Sequence, residues 1–135
     1  MNSFKDAQVI ITGAGSGIGR ELARQLYPYT QKILAVDYLP HALESLQKEF
    51  PQLITLCADL SLKEGNGIIL AWLHAHWTHV DFCFANAGKA EYGEASLQNW
   101  EEMDHLFQLN VHSPIQLGMA LKQAFPNHSL RHLIT

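Results

Sequence analysis

The stretch Val9-Ile10-Ile11-Thr12-Gly13-Ala14-Gly15-Ser16-Gly17-Ile18-Gly19-Arg20 limits this chain more than any other. Three apolar residues in succession read as a buried strand, the glycines break it, and Leu22, Ala23 and Leu26 then recur at helical spacing. Strand, glycine turn and helix in that order form a candidate dinucleotide phosphate cradle. Glycine lets the backbone approach an anion closely, and the unpaired N–H groups of the following helix point at it. Gly13, Gly17 and Gly19 give G-x-x-x-G-x-G, which differs from both the general G-x-G-x-x-G fingerprint and the P-loop pattern. No lysine follows the glycines, which sets a nucleoside triphosphatase aside.

Downstream the chain alternates strands and helices. Gln31 to Val36 reads as a second apolar strand closed by Asp37, about 20 residues past the glycines, where dinucleotide folds place the carboxylate that accepts from ribose hydroxyls. Asp37 also suits the start of the helix that begins near Pro40, whose stripe is Leu43, Leu46 and Phe50. Leu53 to Ala58 forms a third strand, closed by Asp59; Asp59 and Ser61 both suit a helix start. A third helix is expected over 62–79 with Ile69, Leu70, Leu73 and Trp77 on its apolar stripe. His74, His76 and His79 lack the i, i+4 spacing of a helical zinc pair, so no metal site is assigned.

Asp81 to Ala85 is the fourth strand and runs into Asn86-Ala87-Gly88, small residues that leave room for a ligand where strand order reverses. Ser96 or Asn99 then caps a long helix carrying Trp100, Met103, Leu106, Phe107 and Leu109, continued by Ile115, Leu117, Leu121 and Phe125. Pro114 has no N–H, so the Asn110 carbonyl loses its helical donor and the helix should kink there. Leu130 to Thr135 begins a fifth strand. The expected fold is α/β, a doubly wound parallel Rossmann-like sheet ordered 3-2-1-4-5 with right-handed crossovers. Residues 1–135 are expected to form one dinucleotide-binding domain that runs to the fifth strand.

The run T-G-A-G-S-G-I-G, with Asn86-Ala87-Gly88 as a second witness, resembles the short-chain dehydrogenase/reductase family. The resemblance implies cofactor contacts from Gly13, Ser16, Gly17, Ile18 and Gly19, and from Asp37 at the adenosine ribose. It places Asp59 and Leu60 beside adenine and Asn86, Ala87 and Gly88 along the nicotinamide half. It also assigns Asn110 to a catalytic proton relay in which its carbonyl holds a water; a proline kink without chemistry is the alternative. A carboxylate at Asp37 repels a 2′-phosphate, and neither Ser16 nor Tyr38 is the basic residue that NADP-preferring members carry. NAD is therefore expected over NADP, with an alcohol or carbonyl compound as substrate.

The same resemblance covers only about the first half of a family member. Its serine and its Tyr-x-x-x-Lys acid/base pair follow the fifth strand, and none of Tyr27, Tyr29, Tyr38 and Tyr92 has a lysine four positions on. The chain thus reads as the cofactor half of an NAD-dependent oxidoreductase. A non-catalytic dinucleotide-binding module is the alternative, and a methyltransferase, which also places an acid after the second strand, stands further off.

A net charge of -4 without a basic run gives no electrostatic footprint for nucleic acid or an anionic membrane. No apolar run approaches the roughly 20 residues of a membrane span, and the N-terminus lacks a signal-peptide pattern, so a cytoplasmic location is expected. Cys57 and Cys83 would lie about 14 Å apart in this strand order, beyond the roughly 7 Å reach of a disulfide, and are expected as two free, packed thiols. A sheet ending at strand five leaves an open edge and apolar surface, which points to homo-oligomers. Glu91-Tyr92-Gly93 is too little to name a substrate.

Overall fold

Runs of valine, isoleucine, phenylalanine and alanine suit strands covered on both faces, and the sheet is built from them. The computed structural model describes residues 4–89, 99–125 and 132–134. Strands β1 (Val9–Thr12), β2 (Ile33–Asp37), β3 (Ile54–Cys57), β4 (Phe82–Ala85) and β5 (His132–Ile134) pair in parallel in the order 3-2-1-4-5. Helices α1 (Gly17–Leu26), α2 (Pro40–Glu49) and α3 (Gly65–His76) follow the first three strands. After β4 come α4 (Trp100–Phe107), one π-helical turn (Gln108–His112) and α5 (Ser113–Ala124).

Alternation along each strand divides the core into two layers. Val9, Ile11, Ile33, Ala35, Phe82 and Phe84 pack with Ala23, Leu26, Leu46 and Phe50 of the α1 and α2 side. Ile10, Leu34, Val36 and Cys83 pack with Ile69 and Leu73 of α3 and Leu117 and Leu121 of α5. Two helical layers on opposite faces make the sheet doubly wound, as expected.

Several expectations need correction. Cys57 is a free but exposed thiol, because β3 is the outermost strand on its side and is only half covered, whereas Cys83 is free and buried. The third helix is shorter than 62–79: hydrogen-bonded turns Leu62 N–H to Asp59 O and Gly65 N–H to Leu62 O precede it, and Trp77 is already extended. Of the stripe expected on the long helix, Trp100, Phe107 and Ile115 are exposed, and α4 buries no residue completely. Asn99 caps α4, its side chain accepting from Glu102 N–H, while Ser96 lies outside the described residues, as do Glu91-Tyr92-Gly93 and Leu130. At Pro114 the missing N–H is accommodated by a widened π turn in which the Ser113 N–H reaches the Gln108 carbonyl.

Burial pushes the Cys83 thiol up to about 12, so it stays neutral and unreactive at ordinary pH. A thiol reagent at pH 8 is expected to label one cysteine of the native chain, Cys57, and both after unfolding in urea. Rapid labelling of two in the native state would show that β4 is not buried as described.

Candidate functional site

The strand register lines up the carboxyl ends of four strands. Thr12 stands opposite Val36 on one side and Ala85 on the other, and Asp37 stands opposite Cys57. The segments that follow therefore converge on one edge of the sheet, where β1 separates β2 and β3 from β4. A cleft of about 670 Å³ opens there, walled by Gly13, Ser16, Ile18, Asp37, Asp59, Leu60 and Asn86 to Gly88. Gly17, Gly19 and Asn110 do not line it: Gly19 is buried, and Gly17 and Asn110 are exposed.

The glycine turn is packed backbone against backbone. Gly13 has φ +66°, and a Cβ there would lie 2.9 Å from the Ala87 Cα. A Cβ on Gly19 would collide with the Gly13 carbonyl, so α1 can start this close to β1 only with glycine at that place. Ala87 N–H donates to the Thr12 hydroxyl at 3.0 Å and Asn86 Nδ2 reaches the Gly13 carbonyl at 3.5 Å, tying the segment after β4 to the turn after β1. Ser16 is the extended cap of α1, without a side-chain capping bond, and Ile18 projects into solvent with 73% of its surface exposed. The first N–H groups of α1 have no partner within the helix and stand at the positive end of its dipole, and Ser16 and Ile18 at this end line the cleft.

Asp37 is buried with 7% exposure, and both carboxylate oxygens are held. Oδ2 accepts from Gly15 N–H at 2.9 Å and Oδ1 from Leu39 N–H at 3.0 Å. Leu39, not Asp37, caps α2, so the carboxylate positions the cap while facing the cleft. On the other side of Gly15, Arg20 Nη1 reaches its carbonyl at 3.3 Å, and Arg20 is itself paired with Glu49 at 2.8 Å. That guanidinium holds the Glu49 carboxyl below the usual carboxylate range, so the pair is intact at neutral pH and is lost on acidification through the lowered value. Asp59 Oδ1 accepts from Ser61 N–H and the Ser61 hydroxyl at 3.0 and 2.6 Å, and Leu60 is buried beside it.

Asn110 lies in the π turn, and its side chain is committed: Oδ1 accepts from Lys89 N–H at 2.9 Å and Nδ2 donates to the Lys89 carbonyl at 2.6 Å. This pins the end of the Asn86-Ala87-Gly88 segment to the helix. Next to the π turn, buried Ser113 donates its hydroxyl to Asn66 Oδ1 at 3.1 Å and receives Asn66 Nδ2 on its carbonyl at 2.9 Å. Sequence reasoning missed Gly15, the Thr12 hydroxyl and the Asn66–Ser113 pair. The extra glycine in the turn was a visible signal for the first; nothing local marks the others. Among the described residues no group of three or more His, Cys, Asp or Glu side chains is placed to hold a metal, and no helix is long and apolar enough to cross a membrane.

A glycine turn between β1 and α1, an acid closing β2 and a cleft at the reversal of strand order define a Rossmann-like α/β protein. The short chain dehydrogenase family model matches residues 7–129, and the chain belongs to that family. It is 30% identical over 111 residues to L-xylulose reductase of Bos taurus, covering 82% of this chain and 44% of that protein. Carbonyl reductase [NADPH] 2 of Sus scrofa is 27% identical over 122 residues, covering 90% of this chain and 48% of that protein. The chain thus spans about half the length of the curated relatives it matches. The crystal structure of a metagenomic short-chain oxidoreductase in complex with NADP shares the fold, with a TM-score of 0.82 at 23% identity over 90% of this chain and 57% of that one.

Gly19→Ala should destabilise the fold by about 2–3 kcal/mol, because neither the Gly13 carbonyl nor the helix can yield. The melting temperature would fall by roughly 10 °C. Gly67→Ala, in α3 with nothing within 4 Å of the added carbon, is the opposite case and should stabilise by about 0.5–1 kcal/mol. Thermal unfolding of the two variants checks both signs.

Proposed function

We propose that this chain is the NAD-binding half of a short-chain dehydrogenase/reductase that transfers hydride between an alcohol or carbonyl compound and the cofactor. The observation that supports this most strongly is the cleft, which carries glycine turn, buried carboxylate and Asn86-Ala87-Gly88 on one continuous wall. In this reading the turn from Gly13 to Gly19, with the unpaired N–H groups of α1, takes the pyrophosphate. Asp37 accepts from the adenosine ribose hydroxyls and Asp59 and Leu60 border adenine. On the other side of β1, Asn86 to Gly88 border the nicotinamide half.

The nicotinamide, when bound, supplies the hydride acceptor or donor. The protein's share is to bind, orient and relay. Asn110 contributes to the relay through its main-chain carbonyl, whose ordinary helical donor would be the N–H that Pro114 lacks, while its side chain fixes the loop at Lys89. The tyrosine and lysine of the family resemblance would lie beyond residue 135, as would most of the substrate pocket. We read residues 1–135 as the first part of one longer domain, in a cytoplasmic protein.

NAD is our choice of cofactor although relatives include a carbonyl reductase named for NADPH, because Asp37 is buried, lines the cleft and would face a 2′-phosphate. NADH should bind at least about tenfold more tightly than NADPH in a fluorescence titration, equivalent to about 1.4 kcal/mol. Tighter NADPH binding would overturn the role of Asp37, and a melting temperature raised by S-adenosylmethionine but not by NADH would return the methyltransferase.

Trp100, Phe107, Val111, Ile115 and Met119 are all exposed along α4, the π turn and α5, and we take this stripe as support for a homo-oligomer. Denaturing mass and sedimentation on the protein from its source are expected to give a subunit larger than the 15.2 kDa of these residues, assembled as a dimer or more. A monomer of 15.2 kDa would contradict both.

A further inference from the structure

We infer that the buried pair Asn66–Ser113 positions the nicotinamide side of the cleft from the adenine side: Asn66 acts through Ser113 on the π turn, and the π turn acts through Asn110 on the backbone of Lys89. The inference rests on the dinucleotide reading above and goes beyond it by giving a task to two residues that belong to no cofactor motif and do not line the cleft.

Three observations carry it. First, the pair is reciprocal and shut away from water: Asn66 Nδ2 donates to the Ser113 carbonyl at 2.9 Å and the Ser113 hydroxyl donates to Asn66 Oδ1 at 3.1 Å, with both residues buried. Second, each partner is fixed to one side of the cleft. Asn66 follows Gly65, which stands so close to Asp59 that a Cβ there would collide with the Asp59 carbonyl, and Asp59 and Leu60 line the cleft. Ser113 closes the π turn, and Asn110 within that turn exchanges two hydrogen bonds with the Lys89 backbone at 2.9 and 2.6 Å, directly after Asn86-Ala87-Gly88. Third, the π turn has an alternative. Its Ser113 N–H goes to the Gln108 carbonyl, one residue further back than the Leu109 carbonyl that an ordinary α turn would use.

The two closures differ by one residue in the helical repeat, so a change from one to the other turns the residues between by up to about 100° and takes Asn110 off Lys89. Pro114, with no N–H of its own, loosens the helix here and leaves the choice of closure to the contacts of Ser113. Asn66 selects the wide closure, because it holds both the Ser113 carbonyl and the Ser113 hydroxyl from outside the helix. Without it the hydroxyl is free to turn back onto the carbonyl four residues earlier, the local bond that serine makes in a helix, and the turn loses its external anchor. Asn66 and Ser113 are thus positioning residues.

The test titrates NADH (NADPH should the protein prefer it), which spans both halves of the cleft, against AMP, which carries the adenosine half alone, on the full-length protein from its source. Asn66→Ala and Ser113→Ala should each weaken the dinucleotide by about tenfold and AMP by no more than about twofold, because each leaves a buried polar atom of its partner unpaired. Ser113→Ala is the milder change and keeps the test decisive should Asn66→Ala fail to fold. The double variant should lose no more dinucleotide affinity than the worse single variant, since both remove one interaction. Amide exchange at Lys89 and across 108–113 should speed up by about tenfold in either single variant while that of β1 and β2 holds. Equal losses of dinucleotide and AMP would show that the pair only holds the fold together, and unchanged dinucleotide affinity in a folded Ser113→Ala variant would show that it holds nothing at the nicotinamide side. Either result overturns the inference and leaves the dinucleotide reading intact, as would losses that add in the double variant, since the two residues would then act separately. A wild-type protein that binds no dinucleotide would instead remove that reading, and this inference with it.

Discussion

The contact on which the site depends is the one between Gly19 and the Gly13 carbonyl, where the first turn of α1 lies directly on the end of β1 with no side chain between. Because Gly13 is at the same time pressed against Ala87, three segments meet backbone to backbone. A wall built this way is formed before any ligand arrives, and its hydrogen-bond donors are main-chain groups that lose no rotamer freedom on binding. The Thr12 hydroxyl extends the arrangement by one bond, taking the Ala87 N–H that would otherwise be left facing the turn. Strand order does the rest, since it puts this turn between the acids that follow β2 and β3 and the small residues that follow β4.

What could be read in advance was whatever is written locally. Strands covered on both faces appear as unbroken apolar runs, acids mark strand ends, and the glycine turn marks the crossing into a helix, so strand order and cleft were legible. Cys57 was misjudged because it was expected to pack although the expected strand order already put β3 at the edge, where the strand is only half covered. Gly15 was overlooked because its meaning lies in Asp37, 22 positions away, and spacing rules see only neighbours. On the long helix Trp100 and Phe107 lie before the π turn and are exposed because α4 buries no residue, whereas Ile115 lies after it. The π turn inserts one residue into the helical period and so shifts every later side chain by about 100°.

The α3–α5 layer connects the two halves of the cleft. Gly65, at the start of α3, sits against the Asp59 carbonyl, and its neighbour Asn66 is bonded twice to Ser113 just past the π turn. With the Ser113 N–H on the Gln108 carbonyl, every polar group of that buried serine is paired. A fully satisfied buried network specifies one arrangement, because any slip leaves a polar atom unpaired at about 1–3 kcal/mol each. The segment bearing Asp59 and Leu60 and the helix bearing Asn110 are therefore held to each other through side chains that no local pattern reveals.

Burying a carboxylate is unfavourable unless hydrogen bonds replace the lost water, and at Asp37 two backbone N–H groups do so. They also determine what else the group can do. Each oxygen has a lone pair engaged and another available, so the carboxylate presents a fixed pair of acceptors and no donor. Neighbouring hydroxyls match that arrangement, whereas a phosphate can offer only further negative charge. In the proposed NAD complex, attraction to the ribose hydroxyls and repulsion of a 2′-phosphate would come from the same two oxygens, and both would depend on the carboxylate being unable to turn away. A main-chain clamp on a single buried acid thus holds its acceptors in a fixed place, which a mobile surface carboxylate, free to swing into solvent, could not do.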